Sequence, residues 1–173
     1  MERTDAGALG REALAYADTL HNLARYLTRN DTDAEDLVQE TYARALKSAA
    51  QFTRGTNLKA WLFTILRNTY VTAYRRQRVN PVVGGLDEDT PLTNDTWMRD
   101  DFEVAQLRKL VAGEIEQALL SLSDDARTII LLDLEGLSEV ETAQVVGVPV
   151  GTVKSRLSRA RAALRRRLKD YAR

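Results

Sequence analysis

Between Ser138 and Arg161 a short helical segment, a glycine turn and a basic helical segment follow one another, and the chain's clearest chemistry lies there. Ala143 is small enough for a second helix to cross close to it. Gly147, four residues on, supplies the positive φ of a tight turn without a Cβ penalty. Val153, ten residues after Ala143, is placed to pack back into the corner. Lys154, Ser155, Arg156, Ser158, Arg159 and Arg161 then share one side of the second helix, while Val153, Leu157, Ala160, Leu164 and Leu168 form its apolar stripe. Hydroxyls and cations in that pattern suit a recognition helix, which offers them to base edges and phosphates in the major groove. A charge run by itself is more often a solvated face. Here it coincides with a glycine turn and two packing residues at helix-turn-helix spacing, and duplex DNA binding is the better reading. Arg165, Arg166 and Arg167 fit either phosphate contact or a solvated tail.

A second group of residues mixes aromatics with cations. Lys59, Phe63, Arg67, Asn68, Tyr70, Tyr74, Arg75, Arg76 and Arg78 follow a loop that holds Phe52, Arg54, Thr56 and Asn57. Rings interleaved with basic side chains hold unstacked bases while the cations track the backbone. Core packing competes with that role. Trp61 lies on the apolar stripe and reads as core, and for Phe52 and Asn68 both readings stay open. Ahead of this group an acidic stretch carries Asp33, Glu35, Asp36 and Glu40.

Composition closes off other chemistry. There is no cysteine and only one histidine, His21, so disulfides, thiolate chemistry and histidine-based metal sites or triads are not expected. No catalytic residues, metal ligands or cofactors are assigned, and no enzyme is expected. No apolar run is long enough to enter a membrane, and the polar N-terminal residues lack an export signal core, so a cytoplasmic location is expected. The net charge is zero but unevenly spread. Residues 1–80 carry +3, residues 81–100 carry −4, residues 101–137 carry −5 and residues 138–173 carry +6. A basic end behind an acidic middle suits contact with a polyanion.

The elements that must position these groups are all helical. Leu14, Leu20, Leu23 and Leu27 mark a helix over about residues 8–29. Thr32 and Glu35 have capping-box spacing for a second helix reaching Ser48, with Leu37, Val38, Thr41, Tyr42 and Leu46 inward. Leu58, Trp61, Leu62, Ile65, Leu66, Thr69 and Ala73 define a third over 57–76, before Pro81. Helices are then expected over 102–120, from a Ser123 cap to Glu135, from a Ser138–Glu141 capping box to Gly147, and from Val150 to about Leu168. The predicted fold is all-α: two small helical domains over 1–80 and 101–173, joined by a flexible acidic linker at 81–100.

Three segments together resemble the extracytoplasmic-function sigma factors of bacterial RNA polymerase. They are Asp33-Ala-Glu-Asp-Leu-Val-Gln-Glu40, Gly55-Thr-Asn-Leu-Lys-Ala-Trp-Leu-Phe-Thr-Ile-Leu-Arg-Asn68 and Val150-Gly-Thr-Val-Lys-Ser-Arg-Leu-Ser-Arg-Ala-Arg161, in the family's order. The resemblance implies that the first domain is sigma region 2, docking on the β′ clamp through Asp36, Gln39 and Glu40. It implies capture and melting of the promoter −10 element by Phe52, Arg54, Thr56, Asn57 and Asn68, with Arg75, Arg76 and Arg78 on phosphates or upstream duplex. The second domain would be region 4, reading the −35 element through Lys154, Ser155, Arg156, Ser158 and Arg159. Implied partners are core RNA polymerase (β′ clamp and β subunit), promoter DNA both duplex and single-stranded, and an anti-sigma factor. Two rival readings remain: a helix-turn-helix regulator acting without polymerase docking, and a protein-interaction module with a vestigial DNA-binding domain.

Overall fold

The computed structural model describes residues 6–79 and 102–169, without the side chains of 74–79, 102–105 and 108. The expected linker at 81–100 lies outside the described residues. Among those residues the fold is eight α-helices with two 3₁₀ turns and no strand, in keeping with the all-α expectation.

Helices α1 (Ala6–Ala13) and α2 (Ala17–Thr28) replace the single first helix expected, because a 3₁₀ turn at Leu14–Tyr16 breaks the register. Leu14, placed on the buried stripe by its spacing, is 62% exposed as a result. Arg29 ends α2 in the left-handed region at φ 56°. Helix α3 (Asp31–Lys47) starts from Asn30, whose side-chain oxygen accepts from the Asp33 N–H at 3.0 Å. The Thr32–Glu35 capping box is therefore not formed. Asn30 takes the N-cap position two residues earlier and satisfies the Asp33 amide instead, leaving Thr32 and Glu35 exposed. Leu37 and Thr41 are buried as expected, but Ala34 and Ala45 complete that face and Leu46 turns outward. The Thr41 hydroxyl is satisfied by the Leu37 carbonyl at 2.7 Å.

Helix α4 (Leu58–Val79) is the central element of the first half. Leu58, Leu62, Phe63 and Leu66 are almost wholly buried, each such side chain contributing about 1.5–3 kcal/mol of hydrophobic stabilisation. Phe63 is thus a core residue, not part of a nucleic-acid face, since its 0% exposure leaves no ring surface to offer.

The second half holds α5 (Phe102–Leu120), α6 (Asp124–Leu134), α7 (Glu139–Val146) and α8 (Val150–Arg167). Ser123 caps α6, and Gly136, at φ 84°, makes the turn beyond its Glu135 C-cap. The corner between α5 and α6 is closed by Arg127, a fully buried guanidinium. It donates to the carbonyls of Leu119, Leu120 and Leu122 at 2.9–3.0 Å and to Asp124 Oδ1 at 3.1 Å. Burial, then the nearby Arg29, lowers its pKa from the usual guanidinium value, and Asp124 opposes the shift. The two halves share one continuous apolar core, and a longer Arg127 contact reaches the Tyr26 carbonyl of α2 at 3.4 Å. That close packing was not foreseen from two domains on a tether.

Arg127→Met leaves three buried carbonyls without their donor. It is expected to cost about 3 kcal/mol or more in unfolding free energy, measured by urea denaturation.

Candidate nucleic-acid interface

The helix-turn-helix forms around two local devices. Ser138 and Glu141 make the expected capping box: the Ser138 hydroxyl accepts from the Glu141 N–H, and Glu141 Oε2 accepts from the Ser138 N–H at 2.8 Å. Gly147 then ends α7 in the left-handed region at φ 70°, ψ 35°. Ala143 is 6% exposed and Val153 1%, so the two helices meet through the small residue and the apolar corner. Val153, Leu157 and Ala160 are buried, with Leu164 half-buried behind them, and this anchors α8 with its other side in solvent.

That outer side carries Lys154, Ser155, Ser158 and Arg159, all exposed. The Ser155 hydroxyl donates to the Thr152 carbonyl at 3.1 Å. Arg159 folds back on Ser155, with Nε 3.3 Å from its carbonyl and Nη2 3.4 Å from its hydroxyl. Lys154 lies 3.5 Å from Glu139 Oε2. Arg156 is set apart from this group. It is half-buried on the flank and pairs with Asp125 of α6 at 3.1 Å. Arg161 does the same with Asp133 at 2.7 Å. Both arginines brace α8 on α6 here, a task that a count of cations on a helical wheel does not reveal.

In the first half the candidate residues surround the N-terminal end of α4. Arg54, Thr56 and Asn57 are exposed in the loop, and the Thr56 hydroxyl donates to the Thr53 carbonyl at 2.7 Å. Asn57 caps α4, its Oδ1 accepting from the Ala60 N–H at 3.1 Å. Phe52 is 7% exposed and its ring meets that of Trp61 at 5.2 Å and 49°, a tilted aromatic contact. Asn68 stands exposed on α4, three turns from the loop. The side chains of Arg75, Arg76 and Arg78 lie outside the described residues. On α3, Asp36, Gln39 and Glu40 share one exposed face, and Glu40 pairs with Arg44 at 2.7 Å.

Sequence reasoning missed the groups that meet this loop from across the molecule. Asn57 Nδ2 donates to Glu141 Oε1 at 2.8 Å. Lys59 Nζ lies 3.0 Å from Glu135 Oε2 and donates to the Glu135 carbonyl at 2.5 Å. For Glu135 the signal was the acidic block at 101–137, whose carboxylates had no assigned partner; Glu141 reads from the sequence only as a cap. Among the described residues no group of acids and histidines could hold a metal ion, and no helix is long and apolar enough to cross a membrane.

The family models for Sigma-70 region 2 and Sigma-70 region 4 match residues 13–79 and 112–164. Two regions of this type, in this order, define a transcription initiation factor. The chain is 38% identical over 165 residues to the ECF RNA polymerase sigma factor EcfG of Rhodopseudomonas palustris, covering 95% of this chain and 86% of that one. It is 31% identical to the ECF RNA polymerase sigma factor SigW of Bacillus subtilis, covering 90% of this chain and 86% of SigW. A solved structure of the Bartonella quintana sigma factor RpoE, in complex with the anti-sigma factor NepR, is 36% identical with a TM-score of 0.72. That likeness covers 92% of this chain and 95% of RpoE. CnrH, solved with the cytosolic domain of CnrY, is 26% identical with a TM-score of 0.64, covering 98% of this chain and 92% of CnrH. This chain belongs to the ECF family of RNA polymerase sigma factors, which bind core polymerase and direct initiation at chosen promoters. A helix-turn-helix regulator working without polymerase is thereby set aside.

Glu141 receives hydrogen bonds from the Ser138 backbone, Asn57 and the Ser138 hydroxyl, and together they hold its carboxyl below the ordinary glutamate pKa. A carboxylate depressed on folding stabilises above its unfolded pKa, and that stabilisation fades as pH falls through the lower, folded value. The α7 cap is therefore intact at neutral pH and loosens only in acid. A carbon-detected NMR titration of Glu141 should place its midpoint below that of an exposed glutamate; an unshifted midpoint contradicts the capping assignment.

Proposed function

We propose that the exposed side of α8 reads the −35 element, with Lys154, Ser155, Ser158 and Arg159 facing the groove and Arg156 at its flank. The carrying observation is the rigid seating of that side. Val153, Leu157 and Ala160 are buried beneath it, so the polar side chains project from a fixed platform. In the same reading Arg54, Thr56 and Asn57 at the start of α4, with Asn68 three turns along it, handle the −10 element, and Arg75, Arg76 and Arg78 follow the phosphates. Phe52 contributes by bracing the loop against Trp61, or presents its ring to a flipped base once the loop moves. Melting then needs no covalent step, only a surface that offsets an unstacking cost of a few kcal/mol.

Asp36, Gln39 and Glu40 present a continuous acidic and amide face on α3, which suits docking on the β′ clamp, with region 4 on the β subunit. The relative solved with the anti-sigma factor NepR supports an anti-sigma partner for this chain as well. In this reading the place of action is the cytoplasm, where the polymerase is.

Two substitutions separate the assignments. Asn68→Ala should impair permanganate-detected opening of the −10 element while leaving holoenzyme assembly intact; equal loss of assembly refutes the role. Arg159→Ala should weaken −35 binding by about 1–3 kcal/mol and relax sequence preference if it reads a base. A uniform loss with a shallower salt dependence assigns it to phosphate instead.

A further inference from the structure

Helix α8 is tied to α6 by two ion pairs that straddle its apolar stripe. Arg156 Nη1 lies 3.1 Å from Asp125 Oδ2, and Arg161 Nη2 lies 2.7 Å from Asp133 Oδ2. Arg156 adjoins Val153 and Ala160, three and four residues away, and Arg161 adjoins Leu157 and Leu164 in the same manner. At about 100° per residue the two arginines stand roughly 140° apart around α8, with the buried stripe between them. Their acceptors are widely set too. Asp125 is in the first turn of α6 and Asp133 in its last, roughly 12 Å apart along the axis. Helix α6 is itself a fixed reference, because Arg127 ties its first turn to the carbonyls of Leu119, Leu120 and Leu122. Lys154 and Arg159 do not share this role, since the first pairs with Glu139 of α7 and the second folds back on Ser155.

The buried Val153, Leu157 and Ala160 hold α8 down on the protein. Apolar contact is non-directional, so the fine rotation of the helix falls to its directional bonds. Rotation matters to a reading helix. A turn of about 10° carries a group about 5–6 Å from the axis through about 1 Å, twice the roughly 0.5 Å range of good hydrogen-bond lengths. Pairs on opposite flanks oppose rotation in both senses, because either turn stretches one of them. We propose that Asp125 and Asp133 are positioning residues for −35 recognition. Through Arg156 and Arg161 they set the rotation of α8, and so decide which base edges Ser155, Ser158 and Arg159 meet. The proposal rests on the assignment of the −35 element to the exposed side of α8, and adds what fixes its setting. Exposed ion pairs add little to stability, and the contribution of these two is to discrimination between sequences.

The test offers duplex promoters randomised across the −35 element to holoenzyme made from core polymerase and the full-length chain, and sequences the bound DNA. The readout is a preference ratio, the enrichment of the best −35 sequence over its single-base variants. Asp125→Asn and Asp133→Asn remove a carboxylate at nearly constant size. Each is expected to lower the ratio by about two- to fivefold, the scale of one exposed ion pair. Loss of negative charge also strengthens binding to every sequence alike, which moves affinity and its salt dependence but leaves the ratio alone. Asp125→Glu should keep the parent's ratio, and the exchange Arg161→Asp with Asp133→Arg should recover it. A ratio unchanged in either asparagine variant overturns the proposal, even where affinity rises. So does an equal fall in Asp125→Glu and in the exchange, or a fall matched by a collapse of the urea unfolding midpoint. A parent holoenzyme with no −35 preference sinks the assignment of α8 beneath the proposal, whereas a parent preference that the variants leave unmoved sinks only the bracing.

Discussion

Helix α4 answers to two demands at once. Leu58, Leu62, Phe63 and Leu66 must be dry to hold the first half together, and that fixes the rotation of the helix about its axis for everything else on it. Asn57, Lys59 and Asn68 project where they do because those four residues point inward. The same helix is also the surface on which α7 lies. A loss of packing beneath α4 would therefore disturb the loop around Thr56, the exposed Asn68 and the contact between regions together.

Charge is organised around that helix rather than along the sequence. Two acids of the second half, Glu135 and Glu141, face the start of α4, and exposed basic residues of α8 face solvent. Several cations that look available for DNA already have protein partners, among them Arg156 with Asp125 and Arg161 with Asp133. Exchange of a carboxylate for a phosphate costs less than uncovering a buried charge, because one anion replaces another. Such pairs hold a side chain near its working position without removing it from use.

Much of the second half was legible in the sequence. Ser123, Ser138 with Glu141, Gly136 and Gly147 all act through bonds within a few residues, and local chemistry of that kind is written in local spacing. The first half was less so. Asn30 outcompeted Thr32 as a cap, Leu14 left its stripe at a 3₁₀ turn, and Leu46 turned outward while Ala34 and Ala45 filled the inner face of α3. Phe63 shows the same limit, since an aromatic beside cations has identical spacing whether it stacks on a base or fills a core. The pairing of Lys59 with Glu135 spans 76 residues and depends on how two separately legible units meet. The role of each DNA-facing residue rests on resemblance together with exposure, and not on spacing alone.

Glu141 divides its carboxylate between two tasks. One oxygen closes the α7 cap on Ser138, and the other accepts from Asn57. Separation of the regions would trade only the second for water, leaving the first in place. The helix-turn-helix would then move away as an intact rigid body, its reading surface already formed. On this hinge-like view motion is confined between the folded units, and neither has to refold when it reaches its target.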